Sequence, residues 1–165
     1  MCAMNMDIVE VDGQKYALRR ARVEDIDPIL ELVQNDEFRE GEPKRKTGAG
    51  DRHLAAFYAI DSDPAHLLVV IEDAQGRVVG TMQLTILPGL SRGGASRLQL
   101  EEVRVADQLR GKGLGTWMIR WAIAEGERRG AKFVQLTSNQ SRKAAHRFYG
   151  RLGFDPTHVG FKHWL

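Results

Sequence analysis

Val103-Arg104-Val105-Ala106-Asp107-Gln108-Leu109-Arg110-Gly111-Lys112-Gly113-Leu114-Gly115-Thr116 is the stretch around which the rest of this chain is organised. A β-branched strand end passes through a short polar turn into a glycine-spaced basic loop. The loop runs directly into a helix, Trp117 to Arg129, with Leu114, Met118, Trp121 and Ala122 on one face. Glycines at 111, 113 and 115 let the backbone come close to a bulky ligand with no Cβ in the way. The first N–H groups of a helix have no internal partner and carry the positive end of its dipole, so phosphate oxygens bind there. Arg110 and Lys112 add fixed positive charge. Two familiar phosphate loops fail on spacing. The dinucleotide pattern G-x-G-x-x-G needs its third glycine at 116, which is Thr116; the Walker pattern needs glycine at 106, which is Ala106, and a hydroxyl residue after Lys112, where Gly113 stands.

The pattern that does match is Q/R-x-x-G-x-G/A, in two overlapping registers: Gln108 with Gly111 and Gly113, and Arg110 with Gly113 and Gly115. Downstream, Ala145-His146-Arg147-Phe148-Tyr149-Gly150-Arg151-Leu152-Gly153-Phe154 reads as a helix that presents a tyrosine and stops at a glycine. On these two motifs the chain resembles the GNAT superfamily of acyl-CoA N-acyltransferases, which has such a pyrophosphate loop and an A-x-x-F-Y-x-x-L-G-F signature. The resemblance covers Leu67 to the C terminus well and the first third by general layout only. It implies an α+β GNAT fold: a mixed, mostly antiparallel sheet, splayed in the middle, with helices on both faces. It also implies acetyl-CoA as co-substrate, held by Val103, Arg104, Val105, Gln108, Arg110, Gly111, Lys112, Gly113, Leu114, Gly115, Thr116 and Tyr149. The family commonly has Asn seven residues before the tyrosine. Arg142 stands there in this chain, and Asn139 is the candidate to replace that contact.

Immediately upstream, Arg97 to Val105 contains an irregularity. Leu98 and Leu100 have one parity, Val103 and Val105 the other, so a regular strand cannot bury all four on one face. One extra residue at Glu101-Glu102, a β-bulge, restores the burial. The resemblance attaches a role to this place: GNAT proteins splay this strand from the next, and its free backbone groups pair with the pantetheine arm and thioester.

Further out, Lys15 to Arg22 reads as a first strand with Tyr16 and Leu18 on one face, preceded by the Asp12-Gly13 turn. Glu24 to Pro28 is an acidic helix entry, and Ile26, Ile29, Leu30 and Val33 form its apolar stripe. Residues 40–51 form a glycine- and proline-broken loop around Lys44-Arg45-Lys46; in the family this connection lies beside the acceptor cleft. Arg52 to Ile60 is a helix with Leu54, Phe57 and Tyr58 inward. His66–Glu72 and Arg77–Leu87 are strands joined by so short a turn that they must be antiparallel, and Pro88 to Ser96 is a loop. Lys132–Thr137 is a parallel strand after the central helix. Ser141 caps a helix Arg142–Gly150, and Phe154–Val159 with Phe161–Leu165 form a closing antiparallel pair.

The 165 residues amount to one domain, 1–165, with no break in composition. A formal charge of +2, with both signs interspersed, does not point to nucleic acid. A basic helix face, Arg142, Lys143, Arg147 and Arg151, lacks the aromatic interleaving of single-strand binders. Cys2 is the only cysteine, which excludes a disulfide framework, and the histidines at 53, 66, 146, 158 and 163 show no ligand spacing, so no metal is expected. No apolar run approaches the ~20 residues of a membrane span. The expectation is a soluble cytoplasmic protein, with an apolar C-terminal edge that offers a route to a homodimer.

The reaction implied by the resemblance is direct attack of a neutral amine on the acetyl-CoA thioester. It needs no covalent enzyme intermediate, consistent with the lack of a G-x-S-x-G elbow. Tyr149 is the candidate proton donor to the departing thiolate. A backbone N–H near Val103 is the candidate oxyanion donor. Glu101, with Glu102 second, is the candidate base, directly or through water, although ion pairing with Arg104 or Arg97 explains both glutamates equally well. The acceptor is expected to be a primary amine, of a small molecule first. Alternatives are a protein or peptide acceptor and a non-catalytic acyl-CoA-binding sensor.

Overall fold

The computed structural model describes residues 6–34 and 49–165. Six strands form one sheet in chain order: β1 (Asp7–Val11), β2 (Gln14–Arg20), β3 (His66–Glu72), β4 (Val78–Leu87), β5 (Arg97–Val105) and β6 (Phe133–Leu136). Neighbours are antiparallel through β5, and β6 joins β5 in parallel across the long helix α4 (Leu114–Arg128). The remaining helices are α1 (Ile26–Gln34), α2 (Asp51–Ser62) and α5 (Lys143–Arg151), while α3 (Ser91–Gly94), inside the expected 88–96 loop, is a single turn with left-handed dihedrals at Arg92 and Gly93 rather than a regular helix. This is the mixed, mostly antiparallel α+β sheet that the sequence predicts.

The two faces of the sheet are covered by different helices. On one, Leu18, Leu67, Val69, Met82, Leu84, Leu98 and Leu100 are buried against Leu114, Met118, Ile119 and Ala122 of α4. Each of the Leu, Val, Ile and Met side chains contributes roughly 1.5–3 kcal/mol relative to exposure. α4 lies close on the sheet because Gly126 faces it: a Cβ there would stand 2.9 Å from Leu98 Cδ2. On the other face, Ala21, Ile26, Phe57 and Val70 form a smaller cluster under α1 and α2. Arg19, buried on this face, donates to Asp25 (2.6 and 2.8 Å) and to Glu72 (2.5 Å). The Asp25 carboxylate also accepts the Arg22 N–H, which starts the 3-10 turn Val23–Asp25 leading into α1.

Several expectations are corrected. The strand expected first is the second, because β1 pairs with it across Asp12 and Gly13, both with left-handed φ (51° and 70°) as a tight hairpin requires. β1 is an edge strand whose Ile8 faces solvent, so its burial contrast is weak. In α2 only Phe57 is buried; Leu54 and Tyr58 are exposed because the helix reaches the sheet mainly at β3. Ser141 does not cap α5. The N-cap is Arg142, and the Ser141 hydroxyl donates instead to the Asn139 side chain. Residues 154–165 form no strand in the structure: the closing pair is absent, and Val159, Phe161, Trp164 and Leu165 are exposed. Strand pattern alone does not make a strand; a backbone edge must be within reach, and none pairs with this segment. The basic cluster Lys44-Arg45-Lys46 lies outside the described residues.

Candidate active site

The parity break in β5 is a bulge. Thr81 pairs with Arg104 and Gln83 with Glu101, so Glu102 and Val103 together stand opposite Met82. Glu102 takes a left-handed φ of 49°, and the extra residue returns Val103 and Val105 to the core face, where both pack on the main cluster. The bulge also begins a splay. β6 pairs only with Arg97 to Leu100, leaving residues 101–105 without a strand on that side. Backbone groups of β5 are thereby available to a ligand inserted between the strands.

Arg104 follows the bulge directly. One guanidinium nitrogen donates to the Val103 carbonyl at 2.9 Å, and another is 3.5 Å from the Glu102 carboxylate. Glu101 and Glu102 are both exposed. The pairing of Glu102 with Arg104 is one of the two explanations that the sequence left open for it.

The loop after β5 has the form of the predicted cradle. A 3-10 turn, Asp107–Leu109, leads to Gly111 and Gly113 with φ of 77° and 96°. A Cβ at either glycine would meet nothing within 4 Å, so the space above the loop is open to a ligand. The helix ladder begins with Trp117 N–H to the Gly113 carbonyl at 3.0 Å, so the N–H groups of Leu114, Gly115 and Thr116 precede it. Gln108, Arg110 and Lys112 are exposed, and Arg110 pairs with Asp107 at 2.7 Å. Gly115 faces inward: a Cβ there would contact Phe148 at 3.6 Å and Val105 at 3.8 Å, which ties α4 to α5 and to β5. These features fit the phosphates and pantetheine arm of an acyl-CoA.

Tyr149 is carried into the same region by α5. Its ring packs edge-on against Phe148 and Phe154, with centroids 5.1 and 5.8 Å away. Burial pushes the phenol above its usual pKa of 10, while the nearby Arg142 and Arg104 oppose this less strongly. At neutral pH the hydroxyl is therefore protonated and able to donate. Asn139 lies in the exposed turn before α5, where its side-chain oxygen accepts the Ser141 N–H and hydroxyl, and its carbonyl meets His146 Nε2 at 2.8 Å. Only its amide NH₂ is left for a cofactor.

One feature escaped sequence reasoning. On the sheet face that carries α1 and α2, His66, Thr85, Gln99 and Gln135 stand in register across β3 to β6. The His66 ring is 2.9 Å from the Thr85 hydroxyl, and Gln135 donates to Gln99 at 2.7 Å. This polar row lies two residues along β5 from Glu101. Its signal was the parity opposite Leu67, Leu84, Leu98 and Val134. Among the described residues no group of three or more His, Cys, Asp or Glu side chains is placed to hold a metal, and no helix is long and apolar enough to cross a membrane.

A bulged and splayed strand, an open basic glycine loop at a helix start and a protonated tyrosine at the same opening define an acyl-CoA-dependent acyltransferase. The chain belongs to the acetyltransferase (GNAT) family, whose sequence profile matches residues 28–154. It is 30% identical over 153 residues to the aminoalkylphosphonate N-acetyltransferase of Salmonella typhimurium, covering 87% of this chain and 88% of that one. Among solved structures, one described as a transcriptional regulator from Bacillus halodurans superposes with a TM-score of 0.83 at 31% identity, covering 91% of this chain and 99% of the other. Glucosamine-6-phosphate N-acetyltransferase from Arabidopsis thaliana superposes with a TM-score of 0.72 at 21% identity, over 90% and 97% of the two chains, and shares the fold.

Proposed function

We propose that this acetyltransferase moves the acetyl group of acetyl-CoA directly to the primary amine of a small molecule, with amines that carry an anionic group, such as aminoalkylphosphonates, as its leading acceptor class. The observation that carries the acceptor is the end-to-end similarity to an enzyme named for that substrate. Arg104, a cation held next to the candidate base Glu102, is in keeping with an anionic acceptor.

In this reading Gly111 to Thr116 hold the pyrophosphate, and the backbone of Val103 and Val105 pairs with the pantetheine arm. Acetyl-CoA supplies the thioester. Glu101, or Glu102, accepts the amine proton directly or through water. The N–H near Val103 donates to the carbonyl oxygen as charge develops, and Tyr149 protonates the sulfur as the carbon–sulfur bond breaks. The raised Tyr149 pKa supports that last role.

The test is thiol release from acetyl-CoA across aminoalkylphosphonates, amino acids, polyamines, aminoglycosides and peptides, with wild type and Tyr149→Phe. Turnover confined to anionic small amines, lost in Tyr149→Phe with acetyl-CoA binding intact, is the expected result. Turnover of peptides alone would overturn the small-molecule reading. Binding of acetyl-CoA without turnover of any acceptor would favour the sensor reading, to which the relative described as a transcriptional regulator lends support.

A further inference from the structure

At the start of β5 stands a cation without a counter-ion. Arg97 is half-buried and its Nε is closed off from solvent, yet that nitrogen makes no hydrogen bond. Among the described residues no carboxylate pairs with its guanidinium. The other arginines buried along the sheet are answered: Arg19 by Asp25 and Glu72, Arg104 by Glu102 and the Val103 carbonyl. A guanidinium has five donors to place, and one taken out of water is ordinarily paired.

A second cation is brought to the same corner. Phe133, at the start of β6, is in register with Arg97 and shares its face of the sheet, the one that carries Gln99 and Gln135. Arg92 lies over the Phe133 ring, its guanidinium carbon 5.0 Å from the centroid. The turn that holds it there is strained, since Arg92 takes φ 54° and ψ 41°, a left-handed conformation costly for a residue with a side chain. Arg97 meets the same loop: a Cβ on Gly89 would stand 3.8 Å from its Nη1. Two guanidinium groups thus converge on one ring, and among the described residues neither is paired with a carboxylate. Planar forks of this kind match the oxygens of carboxylate and phosphate groups.

We infer that Arg97, with Arg92, binds an oxyanion: the phosphonate, phosphate or carboxylate group of a small ligand. This is not the pyrophosphate loop. Arg97 and Val105 are opposite ends of β5, about 26 Å apart, and the glycine loop lies beyond Val105. Glu101 is on the same face as Arg97, about 13 Å along β5, with the Gln99–Gln135 pair between them. The oxyanion is therefore either the far end of an extended acceptor or a separate small anion, and the chemistry that holds it is the same.

The test uses the full chain saturated with acetyl-CoA, so that the glycine loop is filled, and methylphosphonate as the probe. Titration should shift the backbone amide signals of Gly89 and Phe133 saturably, with a Kd on the order of 1 mM, and leave those of Gly111 and Gly113 in place. Arg97→Gln should weaken binding about 10-fold or more, Arg97→Lys less, because the charge remains and only the fork is lost. Arg92→Gln, which alters an exposed side chain, should also weaken it, whereas Arg120→Gln, the same charge change at an exposed position of α4, should not. No saturable shift, undiminished binding in Arg97→Gln and Arg92→Gln, or equal weakening by Arg120→Gln would each overturn the inference. This readout stands whether or not any acceptor turns over. For an acceptor that does, methylphosphonate that raises its KM assigns the site to the acceptor's acidic end, and an unchanged KM assigns it to a separate anion.

Discussion

Asp25→Asn should cost this fold about 3 kcal/mol, because it removes half of the negative charge that compensates a buried cation. Arg19 is 3% and Asp25 5% exposed, and the guanidinium donates to Asp25 through two nitrogens and to Glu72 through one. Removing one partner of a buried pair typically costs about 3–5 kcal/mol. The lower end applies here, since Glu72 still faces Arg19 and the asparagine oxygen still accepts the Arg22 N–H. At this chain length about 3 kcal/mol corresponds to a fall in Tm of roughly 10 °C. The pH dependence gives a second readout. Burial pushes the Asp25 carboxyl up, but the hydrogen bonds from Arg19 and the Arg22 N–H, with their charges, outweigh it and hold the group below the usual carboxylate range. A depressed carboxyl contributes stability that is fully present above its unfolded pKa, about 3.9, and is lost as pH falls through the lower folded value. Urea unfolding of wild type from pH 7 downward should therefore steepen in loss below about pH 4, and Asp25→Asn should show less of that slope. A loss under about 1 kcal/mol, with an unchanged acid slope, would refute the view that this network secures the start of α1.

Four further outcomes follow from the site. Tyr149→Phe should lower kcat about 10²-fold or more while leaving acetyl-CoA affinity, measured by calorimetry, unchanged. Because burial raises the Tyr149 phenol above 10, wild-type kcat should show no tyrosine-linked loss between pH 7 and 10, the loss coming only as pH rises past the raised value; a tyrosine-dependent limb near pH 8 would contradict this. Gly113→Ala should destabilise the fold by about 1–2 kcal/mol, since φ is 96°, and should raise the KM for acetyl-CoA through the Cβ it puts into the open side of the loop. Glu102→Gly should change stability in thermal unfolding by less than about 1 kcal/mol, because relief of the left-handed φ of 49° is offset by loss of the pairing with Arg104; an activity loss in Glu102→Gln that Glu101→Gln does not share would favour Glu102 as the base.

Local chemistry made much of this protein legible from residues alone. Gly111 and Gly113 hold left-handed backbone conformations that few other residues adopt, and the helix that follows is marked by Leu114, Met118 and Ala122 at one-turn intervals. The β5 bulge was readable because side-chain parity is a strict two-residue rule, and Leu98, Leu100, Val103 and Val105 break it at one place. Other features carry no such local mark. Nothing near Arg19 says that it is buried, because its partners Asp25 and Glu72 are 6 and 53 residues away. Ser141 has the chemistry of a cap, but the Asn139 turn claims its hydroxyl and α5 begins past it. The polar row His66, Thr85, Gln99 and Gln135 exists only once four strands are in register. The C-terminal segment has the alternation of a strand but no strand partner. Sequence thus determines conformation where a residue's own backbone or side-chain period is restrictive, as at the glycine loop and the bulge. Tertiary structure decides which edges and charges meet, because a two-residue period or a lone arginine is compatible with many partners until the chain brings one of them within bonding distance.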